Sequence, residues 1–115
     1  MMMEKYFEKM KEYLNMDSEI SYEEFNDYYS QVIAFLNDNY QHLSNDETVK
    51  ARFILSILVS NSQERAKKYK PLSKKYRKIA EKSNFWAEAL TYQLLKRGMT
   101  KQQIIQAEKE LHDAV

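Results

Sequence analysis

Apolar residues recur every three or four positions along almost the whole chain, the period that gathers them on one face of an α-helix. Met3, Tyr6, Phe7, Met10 and Leu14 form the first stripe, which predicts a helix from Met2 to about Asn15. The polar stretch Met16-Asp17-Ser18-Glu19 reads as a connection. Ser21 and Glu24 then stand at capping-box spacing, in which each side chain satisfies a backbone N–H left free at a helix start. Ile20 and Phe25 are placed for the accompanying hydrophobic staple. The stripe runs on through Tyr29, Val32, Leu36 and Tyr40, with Glu23, Glu24 and Asp27 at the positive end of the helix dipole.

Ser44 and Glu47 repeat the capping box and open a third predicted helix, roughly Asn45 to Asn61. Val49, Phe53, Ile54, Ile57 and Leu58 form its apolar face, and Leu55 and Val59 widen it. So little polar surface predicts a central helix, enclosed by its neighbours. Pro71 lacks an N–H and disfavours helical geometry at Lys70, so a boundary belongs there. A fourth helix is predicted from Pro71 to about Glu81, turning Leu72, Tyr76, Ile79 and Ala80 inward. Ser83 reads as the cap of a fifth, Asn84 to Arg97, with Trp86, Ala89, Leu90 and Leu94 in the core. Gly98 stands where a helix-ending residue is expected. Thr100 and Gln103 supply another capping box, with Met99 and Ile104 as its staple. The last helix, Lys101 to about Asp113, is expected to bury Ile104, Ile105, Ala107 and Leu111. The expected fold is all-α: a single compact bundle of five or six short helices with short loops, one domain over residues 1–115.

Composition narrows the function classes. One glycine and one proline in 115 residues leave too few turn signals for a β-sandwich or barrel, and too little glycine for a phosphate-cradling loop. With no cysteine there is no disulfide, thiolate nucleophile or Cys-based zinc site. Charged residues interrupt every apolar stretch of Met1–Leu14, unlike a secretory signal, and the longest apolar run, Phe53–Val59, is far too short to span a bilayer. A cytoplasmic protein with no membrane association is expected.

The net charge of +1 conceals a division. Residues 1–62 hold 5 Lys/Arg against 11 Asp/Glu, and residues 63–115 hold 13 against 6. Either the halves neutralise each other in the fold or the protein presents charged surfaces to a partner. The sharpest local feature is basic. Arg65, Lys67, Lys68, Lys70, Lys74, Lys75, Arg77, Lys78 and Lys82 are opposed within their segment only by Glu81, and Tyr69 and Tyr76 lie among them. Such a segment can neutralise phosphates and stack bases, or grip an acidic protein; a solvated helix face is the plainer reading. Tyr22, Tyr28 and Tyr29 crowd the start of the second helix, where one stripe cannot bury all three. They are candidate anchors of a protein interface, or the boundary of a small core.

Catalytic chemistry finds little to use. His42 and His112 are the only histidines, each four residues after a carboxylate, Asp38 and Glu108. That spacing could place two metal ligands on one helix face, but both pairs lie near predicted helix ends. No di-iron Glu-x-x-His or zinc His-Glu-x-x-His motif is present. Neither an enzyme, a metal nor another cofactor is expected. The helix–Gly–helix unit Leu90–Leu111 matches a DNA-binding helix-turn-helix only in part. Gln102, Gln103, Gln106 and Lys109 could face base edges, but Glu108, Glu110 and Asp113 would meet phosphates. A plain helical hairpin is the better reading.

The sequence therefore favours a small non-catalytic protein that binds and regulates, or scaffolds, a larger macromolecular partner, a protein in the first place. The alternative is a nucleic-acid-binding module using residues 65–82, as a subunit of a nucleoprotein complex. A homo-oligomer stays open, because a second copy could also enclose the apolar third helix.

Overall fold

The capping signals at Ser21, Ser44 and Thr100 each open a helix in the computed structural model of the protein, which describes residues 2–115. The five helices are α1 (Met2–Leu14), α2 (Tyr22–Asn39), α3 (Asn45–Lys68), α4 (Ser73–Lys96) and α5 (Lys101–Ala114). Single 3-10 turns at Tyr40–His42 and Lys70–Leu72 lie in the second and third connections and lead into α3 and α4, and no strand occurs among the described residues. The caps differ in completeness. At Ser44 and Thr100 both halves of the capping box are made. At Ser21 the hydroxyl accepts from the Glu24 amide, but the Glu24 carboxylate turns away to accept from the Tyr13 hydroxyl at 3.0 Å. That box is half formed, and its acidic member ties α1 to α2 instead.

The central helix is α3, which touches α1, α4 and α5. Phe53, Ile54, Leu55 and Leu58 are buried within the single chain, as the apolar run predicts. The helix outlasts the expected end at Asn61 by nearly two turns. Ser62, Arg65 and Ala66 continue its inward face, so tertiary burial carries a polar sequence on to Lys68.

The largest departure from the sequence reading lies in α4. The expected fourth and fifth helices are one continuous helix, and Ser83 is not a cap. Tyr76, Ile79, Ala80, Ser83, Trp86, Ala87, Leu90 and Leu94 recur at intervals of three and four, and all are buried. Ser83 occupies a core position of this stripe, fully enclosed, and its hydroxyl has no hydrogen-bond partner. Because an unpaired buried hydroxyl costs about 1–3 kcal/mol, Ser83→Ala is expected to leave the thermal midpoint unchanged or raise it by a few degrees in a melting experiment. The helix begins at Ser73, after Pro71 in the 3-10 turn, so the predicted boundary holds with a shift of two residues.

Through the Lys70–Leu72 turn, α3 and α4 form an antiparallel hairpin along most of their length. Arg52, near the start of α3, donates to Thr91 near the end of α4 and to the Glu108 carboxylate of α5. At the other end Arg65 of α3 reaches Tyr76 of α4. Each helix of 24 residues is about 36 Å long at 1.5 Å per residue. The hairpin sets the 43 Å long axis of a body 25 Å across. Two further expectations fail on exposure. Ile105 is 61% exposed, because α5 docks through Ile104 and half-buried Ala107 and Leu111. Ala89, expected in the core, is only half-buried on the outer side of α4.

Gly98 ends α4 with φ +97°, and the Met99 and Gly98 amides donate back to the Leu94 and Leu95 carbonyls. A Cβ at residue 98 would touch nothing, so the cost of Gly98→Ala is backbone strain alone. About 1–2 kcal/mol is expected, read as a thermal midpoint lower by several degrees.

Candidate functional site

The basic segment wraps the closed end of the α3–α4 hairpin, and its members divide by environment. Arg65 leaves the candidate surface altogether. It is only 7% exposed, donates to the Ile20 carbonyl at 3.0 Å and the Tyr76 hydroxyl at 3.1 Å, and lies 4.6 Å from the Phe25 ring centre. It is an interior strut because the last turns of α3 turn this position toward α2. Lys68 is exposed but engaged, its ammonium 3.3 Å from the Glu19 carboxylate. The same carboxylate accepts from the Tyr69 hydroxyl at 2.6 Å, and that bond, with Lys68 beside it, holds Glu19 below the usual carboxylate range.

The other seven, Lys67, Lys70, Lys74, Lys75, Arg77, Lys78 and Lys82, are exposed, and none forms an ion pair among the described residues. Lys67, Lys70 and Arg77 flank a shallow groove between α3 and α4 with Gln63 and Asn84. Lys75 lies on the other flank, its ammonium 5.3 Å from the Tyr22 ring centre. Lys74, Lys78 and Lys82 face outward along α4. Among the described residues, two ion pairs cross the divide between the acidic and basic halves, Glu19–Lys68 and Arg52–Glu108. Mutual neutralisation through direct pairing is therefore sparse.

Beyond Lys82 the outer face of α4 continues with Phe85, Ala89, Tyr92 and Lys96. Phe85 is 62% and Tyr92 65% exposed, and the Lys82 and Lys96 ammonium groups lie 5.9 and 5.4 Å from their respective ring centres. The sequence reading missed this extension because it ended the fourth helix at Glu81. Once α4 is continuous, the spacing of Lys74, Lys78, Lys82, Phe85, Ala89, Tyr92 and Lys96 falls within an arc of about 80° opposite the core. The tyrosine cluster separates differently. Tyr28 is buried, and its hydroxyl donates to the Tyr6 carbonyl at 2.7 Å, so it cannot anchor a partner. Tyr22 and Tyr29 are half-buried, Tyr22 packing edge-on against Tyr76.

Burial pushes the Tyr28 phenol well above its ordinary range, and burial with the Glu24 contact pushes Tyr13 up to about 12. A pKa raised by folding stabilises the fold fully below the unfolded value and loses that contribution as pH rises through the folded one. Unfolding is therefore expected to set in above about pH 10, the unfolded tyrosine value. Far-ultraviolet circular dichroism against pH checks this, and Tyr28→Phe should move the transition to higher pH.

His42 and His112 are exposed, and the Glu108 carboxylate is engaged by Arg52. No group of three or more His, Cys, Asp or Glu converges for a metal among the described residues. The helix-turn-helix pattern is likewise occupied by structural contacts. Gln103 completes the α5 capping box, and Arg97 donates to the Leu43 and Gln41 carbonyls. No described helix is long and apolar enough to cross a membrane. The chain matches no protein-family model, no curated protein and no solved structure.

Proposed function

We propose that the protein is a non-catalytic binding protein that docks onto an acidic protein partner through the closed end of the α3–α4 hairpin and the outer face of α4, regulating or scaffolding that partner. The observation that carries this reading is the set of seven exposed cations that form no ion pair among the described residues, continuous with an apolar stretch around Phe85 and Tyr92. Cations that merely solubilise a helix are ordinarily interspersed with acids, as on α1, where Lys9 and Lys11 pair with Glu12 and Glu8. Exposed aromatic rings beside unpaired charge supply the two ingredients of a contact surface, apolar area and electrostatic steering.

A second reading, nucleic-acid binding, draws on the same cations and on exposed Tyr69, Phe85 and Tyr92 as stacking platforms. Capture from native lysate on immobilised protein, with and without nuclease, separates the two. The proposed reading expects specific proteins to stay bound after nuclease and to be lost with the Lys74→Gln/Lys75→Gln/Lys78→Gln variant. Loss of the captured material on nuclease treatment alone would overturn it. So would tight binding of purified DNA with a steep salt dependence, a log–log slope of about −0.9 per phosphate contacted on duplex DNA.

A further inference from the structure

We infer that the outer ridge of α4 receives an acidic amphipathic helix of the partner, laid along α4 with apolar side chains gripping Ala89 between the Phe85 and Tyr92 rings. The inference rests on the reading of the chain as the binder of an acidic protein and specifies what that protein presents. Phe85 and Tyr92 are seven residues apart, about 10 Å along the axis and one heptad of a facing helix. Both are largely exposed, at 62% and 65%, while Ala89 between them carries only a methyl group. That alternation of large and small side chains leaves room over Ala89 for a side chain of a facing helix, a notch flanked by the two aromatic residues. Ala89 and Tyr92 also line a shallow groove that continues toward Tyr40 and Gln93 on the flank of α4. Apolar side chains of a facing helix, spaced one turn apart, would seat over Ala89 and along this groove, as in helix-in-groove recognition. Stacked bases repeat at about 3.4 Å along a strand, so aromatic residues about 10 Å apart along the axis match a helix repeat better than consecutive bases.

Charge fixes the sign of the occupant. The notch has Lys74, Lys78 and Lys82 on its amino-terminal side and Lys96 on its carboxy-terminal side. Glu81 and Glu88 lie along one edge of the ridge. A second copy of this chain is a poor occupant. Pairing α4 with itself in parallel sets each ridge lysine against its own counterpart, and antiparallel pairing about Ala89 sets Lys82 against Lys96. A helix with carboxylates at both ends of a short apolar stripe meets opposite charge at both ends instead.

The test uses the full chain and a labelled synthetic peptide about three heptads long, with leucine at the central a and d positions and glutamate in the outer turns. A peptide of the same composition with scrambled order and a single-stranded oligonucleotide serve as comparisons. Fluorescence anisotropy is expected to show the patterned peptide binding roughly tenfold or more tightly than the scrambled one. Ala89→Arg, which fills the notch on an outward position, and Phe85→Ser/Tyr92→Ser should each remove that advantage while leaving the helical dichroism unchanged. Amide chemical-shift changes should centre on residues 82–96. Equal binding of both peptides, or indifference to Ala89→Arg, overturns the helix inference and leaves the acidic-partner reading standing. Binding of the oligonucleotide without either peptide overturns both. Failure of the patterned peptide to bind overturns the helix inference, while the lysate capture decides the broader reading.

Discussion

Asn84→Pro is expected to cost about 3 kcal/mol or more, enough to remove a large part of the stability of a domain this size. Residue 84 is exposed, so no packing is lost; the penalty lies in the backbone. Inside a continuous helix its amide donates to the carbonyl four residues back, and a proline ring both removes that donor and collides with the carbonyl. The substitution separates two architectures. If Ser83 capped a separate helix, residue 84 would be its first position, where proline is welcome. With α4 unbroken from Ser73 to Lys96, the same proline interrupts the stripe that buries Tyr76 and Ile79 on one side and Trp86, Leu90 and Leu94 on the other. Urea denaturation should show a midpoint sharply lower than that of the native chain. A midpoint within error of it would mean that the helix is divided.

Removal of the Arg65 side chain is expected to be comparably damaging. Arg65→Ala deletes charge-assisted bonds to the Ile20 carbonyl and the Tyr76 hydroxyl and opens a void against Phe25. Hydrogen bonds from a charged group are worth about 1.5–3 kcal/mol, and the lost packing adds to them. A loss of about 3 kcal/mol corresponds to a melting temperature lower by roughly 10 °C for this size. Arg65→Lys should recover little, because a single ammonium cannot serve both acceptors and lie flat on the ring. Arg65→Met keeps the aliphatic stem and should restore part of the packing. If Arg65→Ala melts with the native protein, the guanidinium is not the tie between α2, α3 and α4 described above.

The legible part of the fold was local in origin. Capping side chains at Ser21, Ser44 and Thr100, the breaker at Pro71 and the terminator at Gly98 act over one helical turn, and each marks a real boundary. Ser83 failed because the residue type that caps helices also occupies a core position when the apolar stripe passes through it. Its burial depends on the facing surface of α3, which no local window contains. The end of α3 failed for the same reason, with Ser62 and Arg65 buried by tertiary contact. For the candidate site, the cations could be read from composition alone. That Arg65 turns inward, that Tyr28 is enclosed, and that Phe85 and Tyr92 join the lysines on one ridge all depend on the angular phase of long helices. An error of one helix boundary conceals that phase.

Clustering so many like charges at one tip has a thermodynamic corollary. Their mutual repulsion opposes closure of the hairpin, and anything that supplies counter-charge there relieves the repulsion only in the folded arrangement. Occupancy of the tip and integrity of the hairpin are thereby linked, so a bound acidic partner would also act as a clamp on the helices that recognise it.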